Sequence, residues 1–137
     1  MNEIKIVIAT LAAWILAQII KTIIMSMRQG TFSGKTFFLP GNMPSGHAAA
    51  TVGLASSIFQ SEGFTTVFVL SGTLAILTMY DAITSRAEIG KQGKIINFLI
   101  KKDFQKITLK EITGHTPTQV LLGALLGVLV SIVVMHV

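Results

Sequence analysis

Long apolar runs separated by short polar breaks organise this chain, and most of the charge lies in the breaks. The first run, from about Ile4 to Met27, is interrupted by Gln18 and Lys21. At about 1.5 Å per residue it is long enough to cross a roughly 30 Å hydrocarbon core. Gly30, Gly34, Pro40, Gly41 and Pro44 follow within residues 28–45, a composition that predicts a polar connection. A small-residue helix is predicted over residues 46–61, shorter than a full span and closed by a Glu62-Gly63 turn. Residues 64–80 and 117–137 read as two further spans, the last opened by Pro117 where helices tolerate proline.

A second polar region is predicted over residues 81–116. Within it, "GKIINFLIKK" sets Ile95, Ile96, Phe98, Leu99 and Ile100 beside Lys94, Lys101 and Lys102. That pattern suits a helix lying in the headgroup plane, or alternatively one packed inside a loop. The pattern as a whole predicts an all-α integral membrane protein: about four transmembrane helices plus an amphipathic interfacial helix, in a single polytopic membrane domain over residues 1–137.

Composition agrees. Hydrophobic residues make up 51% and charged residues 12% of the 137 positions, too apolar for an ordinary soluble domain. The sequence contains no cysteine, which excludes disulfides, thiolate catalysis and cysteine-ligated metals. The opening Met-Asn-Glu-Ile-Lys and the length of the run behind it predict a retained first span rather than a cleaved signal.

The net charge of +5 comes from cations that flank apolar segments instead of interleaving with aromatics. Anionic lipid headgroups, and not nucleic acid, are the expected partner. With four spans, Arg28, Lys35, Arg86, Lys91, Lys94, Lys101, Lys102, Lys106 and Lys110 fall on one side and Lys5 on the other. Positive-inside asymmetry then predicts cytoplasmic loops and external termini.

Chemistry-bearing residues collect at the loop side. Lys21 lies near that end of the first span, where it either snorkels to the headgroups or has a function, and Arg28 follows seven residues later. Pro44-Ser45-Gly46-His47 opens the second helix: Ser45 suits the N-cap, Gly46 admits close backbone approach, and the free N–H groups with the helix dipole favour an anion. A plain capped helix with His47 at a polar interface is the simpler alternative. Tyr80-Asp81 and Ser85-Arg86 mark the end of the third span, and "EITGHTPTQV" sets His115 at the threshold of the fourth.

Taken in order, Lys21-x6-Arg28, Pro-Ser-Gly-His at 44–47, Ser85-Arg86 and His115 resemble the three motifs of the type-2 phosphatidic acid phosphatase superfamily, which includes acid phosphatases and vanadium haloperoxidases. More closely, "GNMPSGHAAATVGLAS", "MYDAITSR" with "GKQ", and "GHTPTQVLLGALLG" resemble a divergent branch of small bacterial and plant membrane proteins. The resemblance spans Lys21 to Gly127 and implies a compact relative of that helical bundle in a bacterial-type cell membrane.

It implies further that His115 attacks phosphorus, that His47 protonates the leaving alkoxide, and that Lys21, Arg28, Arg86 and the amides around Ser45 and Gly46 hold the phosphate oxygens, with no cofactor or metal. The chain departs from the pattern at three places. Gln29 replaces the usual proline, a long insert separates Arg86 from His115, and Gln119 stands where an acidic residue normally orients the nucleophile. Asp81 is the expected substitute carboxylate, with Glu111 behind it and Tyr80 beside it as a supporting residue.

The function implied is a metal-independent phosphatase of a lipid phosphate or pyrophosphate, such as phosphatidic acid, phosphatidylglycerol phosphate or a polyprenyl phosphate. From a different class, a catalytically silent headgroup-binding scaffold draws its support from Gln119. A small transporter fits less well, because the charges cluster at one face and not through the midplane. Gly123-x3-Gly127 fits close packing within the chain or between two copies, and the thin four-helix core favours a homodimer.

Overall fold

The computed structural model describes residues 2–30, 43–103 and 114–137. Five helices follow in order: α1 Asn2–Gln29, α2 Gly46–Glu62, α3 Thr66–Ile83, α4 Ser85–Asp103 and α5 Pro117–His136. No strand occurs among the described residues, and the protein is an all-α membrane protein. Three helical stretches are long and apolar enough to cross a bilayer: Asn2–Arg28, Thr66–Ile100 and Pro117–His136. α2, with 17 residues, is not among them.

The shorter helix is nevertheless the centre of the bundle, packing against α1, α3 and α5. Its small residues make this position available. Gly46, Ala48, Ala49, Gly53, Ala55 and Ser57 are all buried. The neighbours answer in kind, with Ala9, Ala13 and Ala17 fully buried on α1 and Gly123, Gly127 and Ser131 buried on α5, both rows spaced four apart along one helix face.

Large apolar side chains point the other way, including Ile8, Leu11, Ile15, Leu70, Leu74, Leu125 and Leu129, all exposed. In water this inside-out arrangement would be unstable. In lipid, where apolar side chains gain nothing by turning inward, small residues at the contacts let backbones approach and dispersion hold them.

Two α5 glycines show how close that approach is. A Cβ on Gly123 would run into the carbonyl oxygen of Ser45, and one on Gly127 into that of Ala49. The Gly123-x3-Gly127 pair is thus occupied by α2 within one chain. Further along, the hydroxyls of Ser57 and Ser131 hydrogen-bond at 3.0 Å, and Gln60 Nε2 donates to Ser131 Oγ at 2.6 Å. These contacts run in the same order along both helices, so α2 and α5 are parallel and their N-termini share one end.

Helix also replaces most of the expected polar loop over 81–116. α3 continues to Ile83, Thr84 breaks it, and α4 begins at Ser85. At the break the Thr84 N–H and hydroxyl both donate to the Tyr80 carbonyl, at 2.9 and 2.7 Å. The Glu, Lys and Gln residues that follow favour helix, and the Glu88–Lys91 pair supports its first turns. The 18 residues of α3 rise about 27 Å, close to the hydrocarbon thickness. Gly90 and Asn97 are buried on α4, whereas Ile89, Ile95, Phe98 and Leu99 are exposed.

Candidate active site

Lys21 continues the row Ala9, Ala13, Ala17 by one more turn of α1. It is 5% exposed and therefore turns into the bundle, which removes the snorkelling alternative. α2 meets the same face of α1: a Cβ on Gly46 would touch the Trp14 ring at 3.4 Å and the Gln18 amide carbon at 3.6 Å. The helix that begins with Ser45-Gly46-His47 thus starts within about a turn of Lys21.

Ser45 is fully buried and works as a structural joint. Its side chain caps α2 by accepting from Ala48 N, and its own N–H donates to the Gln119 carbonyl at 3.0 Å. Of the amides around Ser45 and Gly46 expected to face phosphate, that of Ser45 is engaged by this carbonyl. Gly46 and His47 retain the N–H groups that a helix start leaves without intrahelical partners.

His115 is fixed from two directions. Its N–H donates to the Ala82 carbonyl at the end of α3, at 3.0 Å. Its Nδ1 lies 3.2 Å from Gln119 Oε1, which also accepts the Thr116 N–H at 3.1 Å. The Thr116 side chain in turn accepts from Gln119 N, completing a capping box at the start of α5. Gly114 lets this turn press onto α4, for a Cβ there would strike the Ala87 backbone.

Arg86 enters from the first turn of α4. Its Nε donates to Asp81 Oδ2 at 2.7 Å, an ion pair bridging the Thr84 break. Both side chains are about two-fifths exposed (37% and 43%), so the pair orients Arg86 more than it stabilises the fold.

His47 reports the convergence electrostatically. It stands at the mouth of α2, outside the three apolar spans, exposed overall but crowded by the helix ends. Loss of water first, then the positive charges of Arg86, His115 and Lys21, push its pKa below the ordinary 6.5, and Asp81 opposes them. Four residues from four different helices or turns thus act on one imidazole. The N-termini of α2, α4 and α5 open at this same end, adding partial positive charge. A cavity of about 260 Å³ adjoins it, lined by Ala87, Gly90, Lys91, Lys94, Gly114, His115 and Thr116.

The profile of the Divergent PAP2 family matches residues 2–130. The chain belongs to that family. A relative described as the uncharacterized membrane protein YuiD of Bacillus subtilis (strain 168) is 32% identical, over 94% of this chain and 92% of its own length. No solved structure matches. Membership in the divergent PAP2 family gives a phosphatase-related helical architecture, and the relative agrees with a membrane location.

Within this divergent PAP2 chain the remaining expected residues are placed unequally. Arg28 is exposed in the last turn of α1, two turns beyond Lys21. Tyr80 is exposed, and its carbonyl serves the α3 terminus. Asp81, expected as a substitute for the missing acid, gives its Oδ2 to Arg86. Glu111 lies outside the described residues. Two participants were not foreseen. Thr116 was legible as Thr-x-x-Gln, a capping-box signature. Gln18, whose Oε1 is buried and forms no hydrogen bond among the described residues, had as its only signal a polar residue one turn before Lys21.

Proposed function

We propose that this protein is a metal-independent phosphatase of membrane lipid phosphates or pyrophosphates, acting through a phosphohistidine at His115. The observation that carries the reading is the grouping around His47: His115, Lys21, Arg86 and Asp81 all lie close enough for their charges to act on its ring. A phosphoryl group needs a nucleophile, an acid on the leaving side and fixed positive charge on its oxygens, and this set supplies all three.

In the first step Nε2 of His115 attacks phosphorus. The bond from phosphorus to the lipid oxygen breaks, and His47 gives its proton to that oxygen. In the second step neutral His47 takes a proton from water as the water oxygen attacks phosphorus. The phosphorus–nitrogen bond breaks, inorganic phosphate leaves, and both histidines return to their starting states. Lys21, Arg86 and the amides of Gly46 and His47 hold the phosphoryl oxygens. Gln119 fixes the His115 tautomer without adding countercharge.

Lipid is the substrate class because the site opens at one end of an apolar bundle, at the level where headgroups present phosphate. The excess of lysine and arginine toward that end supports a cytoplasmic orientation for it. A second reading, a headgroup-binding scaffold, is favoured by Gln119, whose neutral amide leaves a phosphohistidine less stabilised than a carboxylate would.

Phosphate release by the detergent-purified protein, with EDTA present and across a panel of lipid phosphates, decides between them. The phosphatase reading expects release that survives chelation and disappears in His115→Ala. Lipid phosphate bound without turnover, with binding abolished by Lys21→Ala, would establish the scaffold instead.

A further inference from the structure

The insert that separates Arg86 from His115 forms most of α4, and it supplies one wall of the cavity beside His115. Ala87, Gly90, Lys91 and Lys94 line that wall, and Gly114, His115 and Thr116 line the other. Positions 87, 90, 91 and 94 recur on one helix face. Of these, only Lys91 and Lys94 carry long side chains. Gly90 and Gly114 leave the space between them clear, and the close contact of Gly114 with Ala87 fixes the walls relative to each other.

We propose that Lys91 and Lys94 form a second phosphate subsite, which takes an anionic phosphoryl group adjoining the one attacked by His115. This rests on the phosphatase reading and extends it to substrate class. At about 260 Å³ the cavity is far larger than a single bound water requires, about 15 Å³, and it has room for a second tetrahedral group. Two cations three residues apart on one helix repel each other, and a shared anion relieves that repulsion. Lys91 now pairs with Glu88 at 2.6 Å, but both side chains are more than 60% exposed. A water-screened pair of this kind is weak enough to exchange for a phosphate dianion. Lys94 forms no ion pair among the described residues and is exposed toward the cavity mouth.

The second phosphoryl group has two chemical sources: the substrate itself, as a lipid diphosphate, or the headgroup of a neighbouring anionic lipid. Phosphate release by the full chain from farnesyl phosphate and farnesyl diphosphate, which share one tail, separates them. Each is assayed in phosphatidylcholine vesicles with and without phosphatidylglycerol, beside Lys91→Gln/Lys94→Gln. Preference for the diphosphate, cut about tenfold or more in the double variant while the monophosphate rate stays within about twofold, supports the subsite with the substrate as source. Stimulation of monophosphate release by phosphatidylglycerol, lost in the variant, supports it with the neighbouring lipid as source. Equal rates for wild type and variant in every arm overturn it.

Loss of the phosphatase reading is seen separately, as no release from wild type or as release that persists in His115→Ala. In that event, titration of the same two lipids onto nanodisc-held protein decides the subsite. Tighter binding of the diphosphate, weakened about tenfold by the double variant, upholds it, and equal binding refutes it.

Discussion

Gln119 Oε1 lies 3.2 Å from Nδ1 of His115 and 3.1 Å from the amide nitrogen of Thr116. A backbone N–H only donates, so the atom facing it is the amide oxygen, and the same oxygen must accept from His115. The proton therefore sits on Nδ1 and the lone pair on Nε2, which is the form a nucleophile needs.

The orienting contact can be separated from the missing charge. Gln119→Glu keeps the capping box and adds a countercharge, so turnover is expected to rise several-fold. Gln119→Leu loses both bonds, with turnover falling about 10- to 100-fold and stability by roughly 1 kcal/mol. Steady-state rates and thermal unfolding of the purified variants check this. Equal activity in Gln119→Glu and Gln119→Leu would contradict the tautomer role.

Lys21 and Arg28 lie on one helix but differ in depth, Lys21 buried and Arg28 exposed. Lys21→Met retains packing in the bundle and is expected to lower kcat/KM by about 100-fold or more, the scale of one lost charge-stabilising group. Arg28→Gln, at the rim, is expected to cost less than about tenfold. The two kcat/KM values measured side by side test the ordering.

In the proposed mechanism His47 acts as the acid and must carry a proton when the alkoxide leaves. Because its pKa is lowered in the empty site, kcat/KM is expected to fall as pH rises through a value below 6.5. A bound phosphate dianion favours the protonated ring, so the corresponding limb of kcat lies at higher pH. Removing one lowering charge by Arg86→Gln should move the kcat/KM limb upward in pH as well as slow the reaction. Both profiles come from initial rates over a pH series, and a limb unmoved by Arg86→Gln would count against the assignment.

Helix packing offers a prediction independent of catalysis. Gly127→Leu drives a side chain into the Ala49 carbonyl, an overpacking expected to cost about 3 kcal/mol or more. Gly72→Ala meets nothing within 4 Å and is expected to be neutral or to stabilise α3 by up to about 1 kcal/mol. Thermal unfolding in detergent distinguishes them.

The apolar runs of α1, α3 and α5 were legible in the sequence because twenty or so apolar residues have few other fates. α2 was legible as a helix, but its place at the centre was not. That place depends on backbones meeting at Gly53, Gly123 and Gly127, and a glycine names no partner. The second half of α4 was legible as an amphipathic helix in "GKIINFLIKK", whereas its first half was read as loop, because Gly90 and Gly93 interrupt its pattern. Among the candidate site residues, the motifs singled out His47, His115, Lys21 and Arg86, which the structure gathers at one end of the bundle. The engagement of Asp81 with Arg86 and of Ser45 with Gln119 was not, because each is a contact between neighbouring elements that sequence spacing leaves open.

The proposed reaction turns on a phosphorus–nitrogen bond at His115. Brief exposure of the protein to lipid phosphate labelled with radioactive phosphorus, followed by an alkaline quench and peptide mapping, is the direct measurement. The predicted result is label on the peptide containing His115, stable to alkali, lost in acid and absent from His115→Ala. Turnover of the same lipid with no label retained, or label unchanged in His115→Ala, would contradict it.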